Sequence, residues 1–135
     1  MSDVGWDPFV SFQEGGFAMY FIACIGALGH LMAIAALASM VAKRRAMPLG
    51  MGAATLLFAV TTMCLGVGGY LWGMRQVDEA IAFADPEQRE ALYAQGQAEA
   101  SNNLTFGGCA FLFPLLAGVV AITRGAMMKD GPPSA

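Results

Sequence analysis

Charged side chains are scarce in this sequence of 135 residues. Only 13% of the residues are Asp, Glu, Lys or Arg, whereas a soluble domain carries about 25%. A further 57% are hydrophobic, and a soluble domain of this size could not bury so much apolar surface. The net charge of −3 and the lack of a basic stripe disfavour a nucleic-acid binder. The composition predicts an integral membrane protein with a single domain, residues 1–135.

Groups that perform chemistry are also few. The cysteines Cys24, Cys64 and Cys109 lack the CxxC spacing of a metal or redox site, and we expect them to be small buried hydrophobic residues. The single histidine, His30, excludes a haem held by two histidines of one chain. We find no nucleophile–base pair, no phosphate-binding loop and no metal-ligand cluster in the sequence. The sequence therefore predicts a protein that is not an enzyme and holds no cofactor or metal.

Three long stretches contain no Asp, Glu, Lys or Arg. They are residues 15–42, 46–74 and 100–123. A helix needs about 20 residues to cross the roughly 30 Å hydrocarbon core of a bilayer, so each stretch is long enough. We predict an all-α protein with transmembrane helices at about 17–42, 49–74 and 102–123, an acidic connector at 75–101 and a disordered tail at 130–135.

Basic and acidic residues lie on opposite sides of these three segments. Five of the seven basic residues follow the first or the third segment. They are Lys43, Arg44, Arg45, Arg124 and Lys129. Nine of the ten acids lie before the first segment or between the second and the third. Because basic loops stay in the cytoplasm, we predict an outer N-terminus, an outer connector and a cytoplasmic C-terminus. A cleavable signal peptide begins with a basic region, and here Asp3 and Asp7 occupy that region. We therefore expect that the N-terminus is not a cleavable signal.

The acidic connector carries helical patterns at both ends. Val77, Ala80 and Ile81 recur at helical spacing after the second segment. Asp85 followed by Pro86 has the form of an N-cap and a proline at the first helical position. We therefore predict that the second and third segments both extend outward as helices, the third one from Pro86.

His30 lies near the middle of the first segment. A polar group at membrane depth is costly and is for that reason a candidate for function. His30 is thus a candidate for a proton path or a haem ligand. The alternative is a neutral imidazole that forms a hydrogen bond with a backbone carbonyl or with a neighbouring subunit.

Three glycines share one face of the second segment. Gly66, Gly69 and Gly73 are spaced i, i+3 and i+7, and small residues let helix backbones approach closely. This face predicts helix packing, either within the chain or between subunits. Tyr70 lies beside it, and its hydroxyl either lines a wet path or anchors the helix at the membrane interface.

The third segment opens with polar residues. Glu99, Asn103 and Gly107 share a face by i, i+4 spacing, and Gly107 is a further packing candidate. Asn103 and Thr105 can lead water and protons inward. The alternative is that the asparagines lie in the headgroup region. Because no Asp, Glu, Lys or Arg lies inside a predicted span, a partner would have to supply the titrating group of any proton path.

Three short motifs resemble the MotA/TolQ/ExbB proton-channel family. Residues 14–20, EGGFAMY, resemble the family's EGGxxM(Y/W) pattern at the start of the first span. Gly66, Gly69, Gly73, Met74, Ala82 and Phe83 resemble its GLLGTVxGMxxAF segment. Gly96, Glu99, Ala100, Gly107 and Pro114 resemble its GxxEALxxTxxGLxxAIP segment. The resemblance extends over roughly the whole chain, but the large cytoplasmic portion of the family is reduced here to residues 43–50.

The resemblance implies a multi-pass subunit of an ion-driven motor in the bacterial inner membrane. In that family five copies surround a single-span partner of the ExbD/TolR/MotB type. An aspartate of the partner takes up protons, and threonines of the ring line the path. By position those threonines correspond to Tyr70 and to Asn103 and Leu104, with Thr105 one residue later. The conducting residues of the family are thus replaced, although Tyr70 and Asn103 still form hydrogen bonds.

Two functions remain open on the sequence. The first is a ring subunit of a motor driven by the proton-motive force, a pentamer of this chain around its partner. Its proton-path candidates are Tyr70, Asn103, Thr105, His30 and Glu99, and its packing or subunit-interface candidates are Gly66, Gly69, Gly73 and Gly107. The second is a non-conducting scaffold or accessory subunit of a larger membrane complex, which the missing threonines and the lack of intramembrane charge favour.

Overall fold

The computed structural model describes residues 16–41 and 45–128. Its helices are α1 (Phe17–Ser39), α2 (Ala46–Ala82) and α3 (Arg89–Met127). No strand occurs among the described residues, and all three helices are long and apolar enough to cross a membrane. The prediction of an all-α chain with three such helices is confirmed. The tail predicted at 130–135 lies outside the described residues.

The first helix has the length of one membrane crossing. α1 contains 23 residues, which span roughly 34 Å at a rise of 1.5 Å per residue. It begins after Gly16, whose φ of +67° lies in the left-handed region that favours glycine. The carbonyl of Gly16 accepts the N–H of Met19 at 3.1 Å. Glycine at this position therefore lets the chain turn directly into the helix.

The other two helices are much longer than the hydrocarbon core. α2 has 37 residues and α3 has 39, which correspond to roughly 55 and 58 Å. Both run on through the predicted connector. The helix predicted from Pro86 begins instead at Arg89, and residues 85–88 form a turn in which the N–H of Gln88 bonds to the carbonyl of Asp85 at 2.9 Å. That prediction was wrong because the reversal between two antiparallel helices uses these residues for the turn.

Small residues bring α2 and α3 into close contact. A Cβ built on Gly107 would lie 2.7 Å from the Cα of Gly66, so the two backbones touch there. Closer to the start of α2, a Cβ on Gly52 would lie 2.9 Å from the carbonyl oxygen of Gly118. Such contacts replace the hydrophobic effect as the source of helix association, because lipid tails are as apolar as the side chains.

α1 packs against both long helices. A Cβ on Gly26 would lie 3.0 Å from the Cβ of Ala110 on α3. A Cβ on Gly29 would lie 3.4 Å from Phe58 on α2. The buried Thr55 of α2 donates a hydrogen bond to the carbonyl of Met32 on α1 at 3.1 Å. These contacts close the three-helix bundle.

The outer surface of the bundle is apolar. In each helix only 28% of the most apolar 18-residue window is buried inside the chain, so most of its apolar side chains face outward. This is the surface of a multi-pass membrane protein. Cys24 and Cys109 lie on it, and all three cysteines, Cys64 included, are exposed. The expectation that they are buried was wrong because hydrophobicity does not separate residues that face lipid from residues that face the core.

Candidate functional site

An open cavity of about 700 Å³ lies at the end of the bundle where α1 begins. Its walls come from the start of α1, the second half of α2 and the first half of α3. It exists because α2 and α3 extend beyond the first residue of α1, and none of the described residues covers one side of their hairpin there. A pair of long helices and one short helix thus produce a recess at this end.

The cavity is mostly apolar, with a polar strip. Phe17, Phe21 and Trp72 supply aromatic walls. The polar residues are Gln76 of α2 together with Gln95, Glu99 and Asn103 of α3. Glu99 is the one charged residue among the described lining residues. A pocket of this kind, apolar with a few convergent polar groups, is the usual form of a binding or transport site.

The polar strip on α3 follows the i, i+4 spacing. Gln95, Glu99 and Asn103 occupy successive turns of one helix face, and the side-chain amide of Gln95 donates to a carboxylate oxygen of Glu99 at 2.9 Å. Glu99 is half-buried. The hydrogen bond from Gln95 holds the carboxylate along the helix, within the cavity wall.

Asn103 forms the inner end of this strip. The residue is 4% exposed, and its Oδ1 has no hydrogen-bond partner among the described residues. Its Cγ would be 3.0 Å from a Cβ built on Gly69, so the side chain packs against the bare backbone of α2. A buried carbonyl without a partner costs about 1–3 kcal/mol. Buried polar atoms without a partner are rare in native structures, and one reason for their presence is a functional site.

The polar strip ends at Asn103. A Cβ on Gly66 would lie 3.0 Å from the carbonyl oxygen of Asn103 and 3.0 Å from the Cα of Gly107. The α2 and α3 backbones therefore meet immediately further inward. Within one chain, the polar strip has no described continuation toward the other side of the bundle.

The structure places only two of the five proton-path candidates in the cavity. These are Glu99 and Asn103. Tyr70 is half-buried and is not among the lining residues. Thr105 is exposed on the outside of α3 and donates to the carbonyl of Ser101 at 3.1 Å. Their roles in a path stay predictions.

His30 is also remote from the cavity. Its Nδ1 lies 2.7 Å from the carbonyl oxygen of Gly26, one turn earlier in α1. Its ring stacks on Phe113 with centroids 5.5 Å apart. This is the hydrogen bond to a backbone carbonyl that the sequence left open as an alternative to a proton relay or a haem ligand. No group of three metal-ligating side chains occurs in the described part of the chain.

The four candidate packing glycines lie at contacts inside one chain. Gly66 contacts Gly107, and Gly69 contacts Asn103 and Ala18. A Cβ built on Gly73 would lie 3.0 Å from the Cβ of Ala100. An additional role at a subunit interface stays a prediction. The strip also includes Gln76 and Gln95, which the sequence reasoning missed. The spacing of Gln95 from Glu99 and Asn103 was the available signal.

Comparisons with protein-family models, with curated proteins and with solved structures find no match for this chain. Membership of the MotA/TolQ/ExbB family therefore remains a resemblance. The cavity, its polar strip and the apolar outer surface are the features of this chain that bear on its function.

Proposed function

We propose that this chain is an inner-membrane subunit of a bacterial complex driven by the proton-motive force. It forms a homo-oligomeric ring, five copies by the resemblance, around a single-span partner of the ExbD/TolR/MotB type. The observation that carries the proposal is the strip of Glu99 and Asn103 in a cavity open at one end of the bundle. This strip gives water and protons access to the depth of Asn103.

The partner completes the path. The predicted spans contain no Asp, Glu, Lys or Arg, so the titrating group comes from an aspartate in the span of the partner. Within one chain the strip ends where Gly66 meets Gly107. Protons therefore continue between chains, along the partner helix, and not through the bundle of a single subunit.

The cavity faces outward in this proposal. Basic residues stay on the cytoplasmic side, so Arg45 and Arg124 mark the inner end, while Glu79, Asp85 and Glu90 surround the outer turn between α2 and α3. Trypsin added to the outside of spheroplasts then cleaves after Arg75 or Arg89. Cleavage at Arg124 in intact spheroplasts would reverse the orientation.

Native mass spectrometry of the complex in mild detergent tests the proposal. We expect five copies of this chain with one or two copies of a single-span protein that carries an aspartate in its span. A dimer or trimer of this chain without such a partner would contradict the motor.

Proton flux through the reconstituted complex tests the path itself. Asn103→Leu removes the inner polar group and should lower the flux without changing the mass of the oligomer. The neighbouring Asn102→Leu is the matched control, because Asn102 does not line the cavity. Equal flux in both variants would exclude Asn103 from the path.

A second function, a non-conducting scaffold or accessory subunit of a larger membrane complex, is favoured by one observation. The polar strip stops at the contact of Gly66 with Gly107, so the chain by itself has no described conducting route. In that case native mass spectrometry finds one copy of this chain inside a large assembly, and Asn103→Leu leaves the activity of that assembly unchanged.

A further inference from the structure

A shallow groove between α1 and α3 lies on the outside of the bundle, along the first half of α1. It encloses about 140 Å³, and we call it the α1–α3 groove. Its walls include Met19, Ile22 and His30 of α1 and Phe106 of α3. Its floor consists of the small residues Gly26 and Ala110, which are in contact. Small residues on a floor of this kind admit the backbone or a short side chain of another helix.

His30 gives this apolar groove one polar atom that lacks a partner. Because the carbonyl of Gly26 can only accept, the Nδ1 of His30 carries the proton in the uncharged ring, and Nε2 is left as an acceptor. Nε2 has no hydrogen-bond partner in the described residues, and it is not among their buried unpaired atoms. It is therefore accessible from outside the chain. In the hydrocarbon core no water can satisfy it.

A hydroxyl of the same chain lies at the same depth on another face. A Cβ on Gly26 would lie 3.8 Å from Thr62, and a Cβ on Gly29 would lie 3.4 Å from Phe58, so the turn 26–30 of α1 is level with the turn 58–62 of α2. Thr61 belongs to that turn, and its hydroxyl donates to the carbonyl of Leu57 at 2.8 Å. This bond lies within one helix and is released by a rotation of the hydroxyl.

We propose that the α1–α3 groove binds α2 of a second copy of this chain, with the Thr61 hydroxyl of that copy donating a hydrogen bond to Nε2 of His30. Copies related by an axis along the membrane normal have equivalent residues at equal depth, so the two groups meet without tilt. The contact joins two different faces, and contacts of this type form a ring when the rotation between neighbouring copies closes. The Cys109 thiol lies at a similar depth but is the weaker donor and is on α3, beside the groove.

Disulfide cross-linking in native membranes tests the contact, with iodine as an apolar oxidant that enters the hydrocarbon core. In a background with Cys24, Cys64 and Cys109 replaced by alanine, His30→Cys in one tagged copy and Thr61→Cys in another should yield a cross-linked dimer when both are co-expressed. Thr123→Cys replaces Thr61→Cys in the control. Thr123 is exposed and its hydroxyl also bonds within its own helix, but it lies near the C-terminal end of α3, several turns from the level of His30. Equal cross-linking with Thr123→Cys, or none with Thr61→Cys, overturns the contact.

Dissociation of the oligomer on dilution in detergent tests the hydrogen bond. Thr61→Val should weaken association roughly threefold to tenfold per contact, as for other hydrogen bonds between membrane helices, and Thr61→Ser should restore it. Ala27→Leu fills the groove and should weaken association as well, whereas Ala38→Leu on the same helix, outside the groove, should not. Unchanged association in Thr61→Val overturns the role of the hydroxyl.

The inference rests on the homo-oligomer of the proposed function, but the two fail separately. An oligomer that includes the single-span partner and shows no cross-link from His30 to Thr61 overturns the contact and leaves the motor standing. A cross-linked oligomer that lacks any such partner supports the contact and contradicts the motor.

Discussion

At the scale of single residues, adjacent glycines of one helix differ in whether helix packing requires them. Gly107 lies where a Cβ would be 2.7 Å from the backbone of Gly66, whereas a Cβ on the adjacent Gly108 meets nothing within 4 Å. The first glycine is therefore required by packing and the second is not. From the sequence alone, the glycine that packing requires cannot be told from its neighbour.

This difference predicts contrasting effects of the same substitution. Gly107→Ala should destabilise the bundle by about 1–2 kcal/mol, because the cost of overpacking exceeds the gain in helix propensity. Gly108→Ala should be neutral or stabilise by up to about 1 kcal/mol. Unfolding of the purified protein in mixed micelles with increasing SDS measures both. A stable Gly107→Ala variant would contradict the close approach of α2 to α3.

Thr55 and Thr123 provide a second pair of residues with different tasks. Both hydroxyls donate within their own helix, but only Thr55 also reaches another helix, at the carbonyl of Met32. Thr55→Val should cost about 0.5–2 kcal/mol of unfolding free energy, the range found for hydrogen bonds between membrane helices. Thr123→Val should cost much less. Equal losses in the same SDS titration would mean that the bond to Met32 contributes nothing.

At the scale of helices, a close contact of a glycine lies near the turn of the α2–α3 hairpin. A Cβ on Gly96 would collide with the side chain of Val77. Gly96→Leu should therefore separate the two helices near this turn and raise amide hydrogen exchange there, while exchange in α1 stays unchanged.

Two further variants make that experiment specific. Val77→Ala in the Gly96→Leu background should restore slow exchange, because it removes the colliding side chain. Gln97→Leu adds the same side chain at the neighbouring, exposed position and should have no effect. If both leucine variants increase exchange alike, the contact of Gly96 with Val77 does not hold the hairpin.

Helix content followed from the sequence more directly than helix ends. Charge-free stretches long enough to cross a bilayer predicted three apolar helices, because a membrane segment must satisfy its own backbone hydrogen bonds. The start of α3 did not follow. Asp85 and Pro86 carry a helix-start signal, yet the chain completes its reversal first and the helix begins at Arg89.

At the scale of the whole molecule, the three exposed cysteines report where water reaches the bundle. Cys64 lines the large cavity, whereas Cys24 and Cys109 lie on the outer surface away from it. Maleimides react with the thiolate, which requires water. In intact membranes a small polar maleimide should therefore modify Cys64 first and leave the other two largely unmodified.

Mass spectrometry of the labelled peptides checks this, with labelling after denaturation in SDS as the reference for full reactivity. Blocking the cavity with Gly68→Trp should slow the reaction of Cys64, since Gly68 is an open lining position. Rapid labelling of Cys109 in intact membranes would place water on the face that we assign to lipid or to other chains.

The sequence by itself determined the membrane class and the number of long apolar helices, because hydrophobicity and length act locally along the chain. It also brought Glu99 and Asn103 together, since residues four apart share a helix face. Only the tertiary structure decided that the cavity exists, that Asn103 is the buried end of its polar strip and that Tyr70 and Thr105 lie elsewhere. Those properties depend on which faces of three helices meet, and in an apolar chain small residues and helix ends set that, not the hydrophobic pattern.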